Sequence, residues 1–157
     1  MDQLPITSKK FSYTGIIDVN GFLQVVKKNL EAKGFSVEET KFEQSGSENK
    51  NYSIEWSATK QLDDYTMYSL TVKINFSDVK DATVLKNNVP TQTKTGKVDL
   101  SIDASMMLDY QEKWSAGLLK ILRPLFDRMN KELIESRKKS LANSVDEIVG
   151  ALKSTYS

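Results

Sequence analysis

Strict alternation of apolar and polar residues in three segments constrains the fold of this chain most. In segments 51–59, 65–76 and 98–106, apolar side chains such as Ile54, Ile74 and Ile102 recur at every second position. Successive side chains of a strand point to opposite faces of a sheet, so each segment predicts a strand with one apolar and one polar face. Consecutive strands of this kind favour an antiparallel sheet whose apolar face is covered by helices.

Weaker patterns predict the elements around these strands. Residues 1–8 read as a frayed lead-in and residues 10–17 as a strand. A helix follows, capped by Asp18 or Asn20 and ended by Lys33-Gly34, because glycine accepts the left-handed conformation that ends many helices. Its apolar stripe consists of Phe22, Leu23, Val26 and Leu30.

The remaining strand predictions are less regular. Residues 36–44 form a highly charged segment that predicts an edge strand, and residues 45–50 predict a turn. Between the second and third alternating segments, residues 77–96 predict only a short strand and a loop around Pro90.

Beyond residue 116 the apolar period becomes helical and divides into two stripes that are out of phase with each other. The first stripe consists of Leu118, Leu122, Leu125 and Met129, and the second of Leu141, Val145, Ile148 and Leu152. Pro124 predicts a kink in the first stripe. The segment from Ser144 to Glu147 has the form of a capping box. The region is therefore either one long helix with a rotated stripe or two helices with a break near 136–144. One straight helix over 116–155 would be about 60 Å long, more than a domain of this size accommodates.

These patterns together predict an α+β fold. We expect a curved antiparallel sheet of about five to six strands, with an N-terminal helix and a long C-terminal helix packed on one face. We expect residues 1–136 to form the domain, with the first stripe gripping the sheet. Residues 137–157 are then predicted to form an amphipathic helical extension.

Composition removes several classes of activity. The 157-residue chain has no His and no Cys, so it lacks the usual general base at neutral pH and the commonest ligands of transition metals. None of its 7 Gly lies in a phosphate-binding motif. We therefore predict no cofactor, no metal site and no enzymatic activity. The alternative of a carboxylate-based enzyme rests on Asp63, Asp64 and Asp109.

A second alternative is a carrier of a small apolar ligand, held in a cavity between the sheet and the helix. Bulky inward side chains also pack well against one another, and this favours a solid core. The cavity candidates are Trp56, Tyr68, Leu70, Val72, Ile74, Leu100, Ile102, Leu118, Leu122, Leu125 and Phe126.

The preferred hypothesis is a non-catalytic interaction module. The second stripe is apolar for an exposed tail, so it predicts contact with a partner protein or with a second copy of the chain. The candidate residues are Leu141, Val145, Ile148 and Leu152. A net charge of +1 argues against nucleic-acid binding. The acidic residues Asp146 and Glu147 on the polar side of this stripe argue against membrane binding.

The order of the elements resembles the START-like helix-grip superfamily, in which a curved antiparallel sheet wraps a long C-terminal helix. This resemblance covers residues 9–135, although the second short helix of that superfamily is not evident. Three segments are also similar to an uncharacterised family of archaeal proteins: FSYTGIIDVNGFLQVVKKNLEAKGFSVEE, IEWSATKQLDDYTMYSLTVKINF and GKVDLSIDASMMLDYQEKW. The similarity implies an archaeal, cytoplasmic protein and no particular activity. The lack of cysteine and of an apolar leader also predicts a cytoplasmic location.

Overall fold

A five-stranded antiparallel sheet is the centre of the structure, a computed structural model that describes residues 2–113 and 117–156. The strand order is β1-β5-β4-β3-β2, so the first strand pairs with the last. The strands are β1 (Asp2–Ile16), β2 (Ser36–Ser45), β3 (Lys50–Gln61), β4 (Thr66–Lys86) and β5 (Val89–Leu108). The helices are α1 (Val19–Ala32), α2 (Gly117–Met129) and α3 (Lys131–Thr155). The predicted α+β class is confirmed.

The alternating strands bury their apolar faces as predicted. Ile54, Ile74 and Ile102 are at most 1% exposed, and the register places Ile54 opposite Ile74. The covering layer consists of α1 beside β2 and α3 over β1 and β5. The two helices add Phe22, Val26 and Leu30, together with the whole second stripe, to the same apolar cluster.

The prediction of a frayed lead-in over residues 1–8 is wrong for residues 2–8, and Met1 lies outside the described residues. β1 begins at Asp2 and pairs with β5 from Asp2, opposite Leu108, to Ile16, opposite Thr95. The backbone of β5 would otherwise be an unpaired edge over this length, and Leu4 and Ile6 pack against the core.

The predicted loop within 77–96 is also wrong, because β4 and β5 form one long hairpin through this region. Asn87 and Asn88, both with positive φ (52° and 62°), make its two-residue turn. Asparagine tolerates this conformation better than most residues, and it matches the twist of a tight hairpin. Beyond Val79 the hairpin extends past the end of β3, and Leu85 at its tip is exposed.

The break in the C-terminal region lies at Asn130, not near 136–144. Hydrogen bonds nevertheless continue across it, since Asn130 N–H donates to the Phe126 carbonyl (3.1 Å) and Ile134 N–H donates to the Asn130 carbonyl (2.9 Å). The helical phase therefore carries on from α2 into α3. The Ser144 capping box lies inside α3. Ala116, where the helical period was predicted to begin, lies outside the described residues.

The second stripe, not the first, grips the sheet. Leu141, Val145, Ile148 and Leu152 are fully buried, whereas Leu122 and Leu125 are exposed. Residues 137–156 therefore belong to the core of the domain, and a boundary at 136/137 would fall within α3. Within the described part of the chain, no helix has both the length and the apolar character needed to cross a membrane.

Candidate interaction site on helix α2

Helix α2 lies against the domain with two of its four charged side chains, Arg123 and Asp127, turned inward. Its inward side chains are Arg123, Phe126 and Asp127, and they approach the end of the sheet where β5 finishes and the β3–β4 turn lies. The ring of Phe126 packs edge-on against Tyr65, with centroids 5.0 Å apart. An amphipathic helix on a domain surface ordinarily buries its apolar side, so the orientation of α2 is inverted.

Arg123 is the main anchor of this helix. Its side chain is 15% exposed and contacts three carboxylates: Nη2 lies 2.7 Å from Asp2 Oδ2, Nη1 lies 3.9 Å from Asp109 Oδ2, and Nε lies 3.8 Å from Asp127 Oδ2. Asp109 is 1% exposed. A buried carboxylate requires a positive partner, and Arg123 provides it.

Tyr65 connects Arg123 with Asp127. Its hydroxyl donates a hydrogen bond to Asp127 Oδ1 and accepts one from Arg123 Nε at 3.1 Å. The guanidinium carbon of Arg123 also lies 5.8 Å from the centroid of the Tyr65 ring. Burial, together with the hydrogen bond to the Asp127 carboxylate, raises the pKa of Tyr65 to about 12, so the phenol stays protonated at neutral pH.

Asp63 ties the start of α3 to the β3–β4 turn. One carboxylate oxygen accepts hydrogen bonds from the backbone N–H groups of Tyr65 (2.8 Å) and Thr66 (2.7 Å). The other accepts from Arg137 Nη1 at 2.8 Å. Burial alone would raise the pKa of Asp63, but the hydrogen bonds from Arg137 and these backbone groups lower it. The junction between α2 and α3 is thus held by ion pairs on both sides.

The outward side of α2 is apolar and exposed. Ten large hydrophobic side chains are exposed in the described part of the chain, and six of them lie between Leu119 and Leu133. They are 40–78% exposed, so this short stretch carries most of the accessible large apolar side chains. We call this surface the α2 face. It consists of Ile121, Leu122, Leu125 and Met129. Leu119 lies four residues before Arg123, on the inward side of the helix, and Leu133 belongs to α3 and lines the space beside Tyr65 and Phe126.

The α2 face has the spacing of a helix-packing seam. Leu122, Leu125 and Met129 step by three and four residues, which places them in one line along the helix. The next position of that line is Glu132, so the apolar seam ends where α3 begins. A surface of this shape accepts the apolar edge of another α-helix.

The four residues predicted to bind a partner lie elsewhere. Leu141, Val145, Ile148 and Leu152 face β1, β5 and α1 inside the domain and are 0% exposed. The structure brings them together, but as part of the core.

The predicted cavity residues fall into two separated groups. Trp56, Tyr68, Leu70, Val72, Ile74, Leu100 and Ile102 lie in the core and are at most 6% exposed. Leu122 and Leu125 belong to the α2 face, Phe126 packs on Tyr65, and the side chain of Leu118 is outside the described part of the structure. The structure does not bring the two groups together.

The space between α3 and the β3–β4 turn is small. It holds about 60 Å³ and is lined by Tyr65, Phe126 and Ile134 among others. Ligand pockets usually hold at least about 300 Å³. Larger clefts of about 410 and 450 Å³ lie at strand ends and are lined by other, mainly polar, side chains.

Two of the three carboxylates considered for catalysis are engaged with arginine. Asp63 is bound by Arg137, and Asp109 is buried beside Arg123. Asp64 is exposed in the β3–β4 turn. The three residues lie at the same end of the sheet, and the two arginine-bound carboxylates hold helices in place.

Sequence reasoning missed Arg123 and Tyr65, although a signal was present. Arg123, Asp127, Ile134 and Leu141 lie at steps of four and seven, in phase with the buried second stripe. An arginine and an aspartate at positions of an inward stripe indicate polar partners on the domain surface. No family model matches the chain, and no curated protein is similar to it.

Proposed function

We propose that this protein is a non-catalytic interaction module, and that its α2 face binds an amphipathic α-helix of another polypeptide chain. The inverted orientation of α2 carries the proposal. Arg123 and Asp127 are engaged within the domain, so the apolar side of the helix remains available for another molecule. Exposed apolar patches of this kind commonly mark interaction surfaces.

An α-helix fits this surface better than an extended peptide or a small ligand. The apolar line on α2 follows a three-and-four step, which matches the apolar edge of a second helix. An extended peptide would instead need an unpaired strand edge, and a small ligand would need a concave pocket. The exposed charged residues of α2 are Lys120 and Arg128, so a partner with acidic residues beside its apolar seam is favoured.

The proposal is tested with a synthetic helix. The probe is a fluorescent peptide of three heptads, with leucine at both seam positions and glutamate at the flanking positions. We expect the wild-type protein to bind it at micromolar concentration, measured by fluorescence anisotropy. Replacing both Leu122→Gln and Leu125→Gln should weaken binding at least tenfold, because two central apolar contacts of the seam are lost.

The matched control is Phe42→Gln, which changes another exposed large apolar residue on β2. It should bind the peptide as the wild type does. Circular dichroism spectra should show that both variants fold, since the altered side chains are exposed. If the wild type leaves the anisotropy unchanged, or if the double variant binds equally well, the α2 face is not a helix-binding site.

A further inference from the structure

The tip of the β4–β5 hairpin extends beyond the rest of the sheet. β3 pairs with β4 only as far as Val79, and β1 pairs with β5 only as far as Thr95. The hairpin itself continues from Lys80, opposite Thr95, to Lys86, opposite Val89. A two-stranded ribbon is at best marginally stable in water, so a third strand would stabilise this segment.

The edge of β4 in this segment has free backbone groups at every second residue. Because the hairpin turns in two residues, Lys86 and Val89 form a hydrogen-bonded pair, and the even-numbered residues of β4 bond to β5. The N–H and C=O groups of Asp81, Thr83 and Leu85 therefore point away from β5, and no hydrogen bond from another described residue reaches them. They repeat about every 7 Å along the strand, which is also the repeat of another extended chain. An extended peptide can therefore bond to all of them at once.

The opposite edge of the hairpin, on β5, is less open to a further strand. Pro90 has no N–H group to donate. The carbonyl of Lys94 already accepts a hydrogen bond from Ile17 N–H at 2.9 Å. A strand added on this side would lose backbone bonds at both ends of the segment, so the edge of β4 is the one that accepts a strand.

The side chains beside this edge specify the kind of strand that it accepts. Side chains alternate between the two faces of a strand, and those on one face of this segment are Lys80, Ala82, Val84 and Lys86. Both lysines are exposed, and neither forms an ion pair with another described residue. Ala82 and Val84 between them are partly buried. The face therefore has a positive charge at each end and small apolar side chains in the middle.

We infer that the edge of β4 over residues 80–86 binds an extended, acidic segment of another protein as a third strand. The segment carries a carboxylate opposite Lys80 and another opposite Lys86, because opposite charges stabilise a strand pair when they lie directly across from each other. Two β-branched side chains lie between these carboxylates, opposite Ala82 and Val84. This site lies at the other end of β4 from the turn that α2 approaches, so it is separate from the α2 face.

A second copy of the chain fits this edge less well than an acidic segment. Antiparallel pairing of residues 80–86 with the same residues of another copy places Lys80 opposite Lys86 at both ends. Like charges that lie directly opposite each other destabilise a strand pair. A shift of two residues separates the lysines only by shortening the paired segment.

A seven-residue peptide tests the inference. The probe has the sequence Glu-Thr-Val-Thr-Val-Thr-Glu with both termini blocked, and it is titrated into the full chain labelled with nitrogen-15. We expect the backbone amide signals of Asp81, Thr83 and Leu85 to shift, and their hydrogen exchange to slow at least tenfold once the shifts saturate. A matched peptide with lysine in place of both glutamates should bind at least tenfold more weakly.

Proline substitutions on the two edges identify the one that is used. Thr83→Pro removes the central outward N–H of β4 and should weaken peptide binding at least tenfold. Gln92→Pro removes an outward N–H of β5 and should leave binding unchanged, and circular dichroism should show that both variants fold. If the wild-type amide signals do not shift, or if Thr83→Pro binds as the wild type does, the edge of β4 is not a binding site.

The remaining outcomes separate this inference from its alternatives. Equal binding of the lysine peptide would overturn the acidic partner. Shifts of the same amide signals that grow with protein concentration, without any peptide, would show that a second copy covers the edge and would also overturn it. The double variant Leu122→Gln with Leu125→Gln should bind the strand peptide as the wild type does, because the two sites are separate. A loss of binding in that variant would place the peptide on the α2 face instead.

Discussion

At the scale of single residues, Arg123 determines the direction in which α2 faces. Its guanidinium reaches Asp2 at the start of the sheet and the buried Asp109 at the end of β5, and it also contacts Tyr65 and Asp127. Replacing Arg123 by a neutral residue would destabilise the fold, because the carboxylates around it would lose their positive partner. The cluster therefore fixes α2 with its apolar side away from the domain.

Removing the hydroxyl of Tyr65 should loosen this cluster. We expect Tyr65→Phe to lower the free energy of unfolding by about 1–3 kcal/mol at pH 7, because the hydroxyl bonds to two charged groups. Urea denaturation measures the change. Tyr68→Phe is a suitable control, since the Tyr68 hydroxyl donates to the neutral carbonyl of Arg137 and should contribute less.

The same substitution should change the response to alkali. The pKa of Tyr65 is about 12 in the folded protein, whereas an unperturbed tyrosine has a pKa of 10.0, so the folded state holds the phenolic proton more tightly. Its contribution to stability is therefore full below pH 10 and is lost as the pH rises toward 12. The free energy of unfolding of wild type should decrease over this range more steeply than that of Tyr65→Phe. If the free energies of unfolding of the wild type and of Tyr65→Phe fell equally with pH over this range, the prediction would be contradicted.

Asp63 gives the opposite pH dependence. Its folded pKa lies below the ordinary aspartate value of 3.8, so its contribution to stability is present above that pH and is lost as the pH falls through the folded value. We expect Asp63→Asn to cost on the order of 1 kcal/mol at pH 7, since solvent screens the half-exposed carboxylate. The difference in the free energy of unfolding between the wild type and Asp63→Asn, measured by urea denaturation, should become smaller below about pH 4. As a control, Asp64→Asn changes the exposed neighbouring residue, and its free energy of unfolding should stay within about 0.5 kcal/mol of the wild-type value.

At the scale of elements, α2 and α3 share one helical phase and turn the same face to the domain, but the chemistry of that face differs between them. The stripe that points inward is polar in α2, where it meets Asp2, Tyr65 and Asp109, and apolar in α3, where it meets the sheet. Because the phase is kept across Asn130, burial of the second stripe turns the first stripe outward. The second stripe therefore completes the core, and the first stripe forms the α2 face.

Truncating one residue of each stripe tests this division. We expect Ile148→Ala to lower the free energy of unfolding by about 2–5 kcal/mol, because it leaves a cavity in a filled core. Leu125→Ala should change stability by no more than about 0.5 kcal/mol, as is usual at exposed sites. Both are measured by urea denaturation. If the two substitutions lowered the free energy of unfolding equally, both stripes would be buried, and the division would be wrong.

At the scale of the whole molecule, the strand order places the first strand beside the last and leaves β1 and β2 as the edges of the five-stranded part of the sheet. Beyond Val79 and Thr95 the sheet continues as the β4–β5 hairpin. Both edges carry register shifts, between Pro5 and Thr7 in β1 and between Glu39 and Lys41 in β2. Bulges and charged residues of this kind hinder edge-to-edge pairing between molecules. Contact with another chain is therefore favoured at the α2 face, where apolar side chains are exposed, over these two edges.

Much of the sheet could be predicted from the sequence because alternation is a local property. Residues 51–59, 65–76 and 98–106 each show which side chains share a face without reference to any other segment. The lengths of β1, β4 and β5 could not be predicted in this way. Those lengths depend on whether a neighbouring strand is present to satisfy the backbone hydrogen bonds.

The candidate site was less predictable than the sheet. Both apolar stripes were visible, and so was their difference in phase, but periodicity does not say which of two stripes meets the core. The Arg123 cluster joins residues from Asp2 to Asp127 that are far apart in the chain. Arg123 and Asp127 carry one signal, their phase with the second stripe, but that phase does not say which distant residues they meet.

Local sequence patterns specify the α+β class, the faces of the central strands and the presence of two apolar helical stripes, because these features follow from periods of two and 3.6 residues. Tertiary packing selects which stripe completes the core and which remains exposed. That selection arises because α3 covers the sheet with the stripe that is apolar along its length, and because the ion pairs of Arg123 hold α2 in the same phase. The first stripe is then left to face outward, where we propose that it binds a helix of another chain.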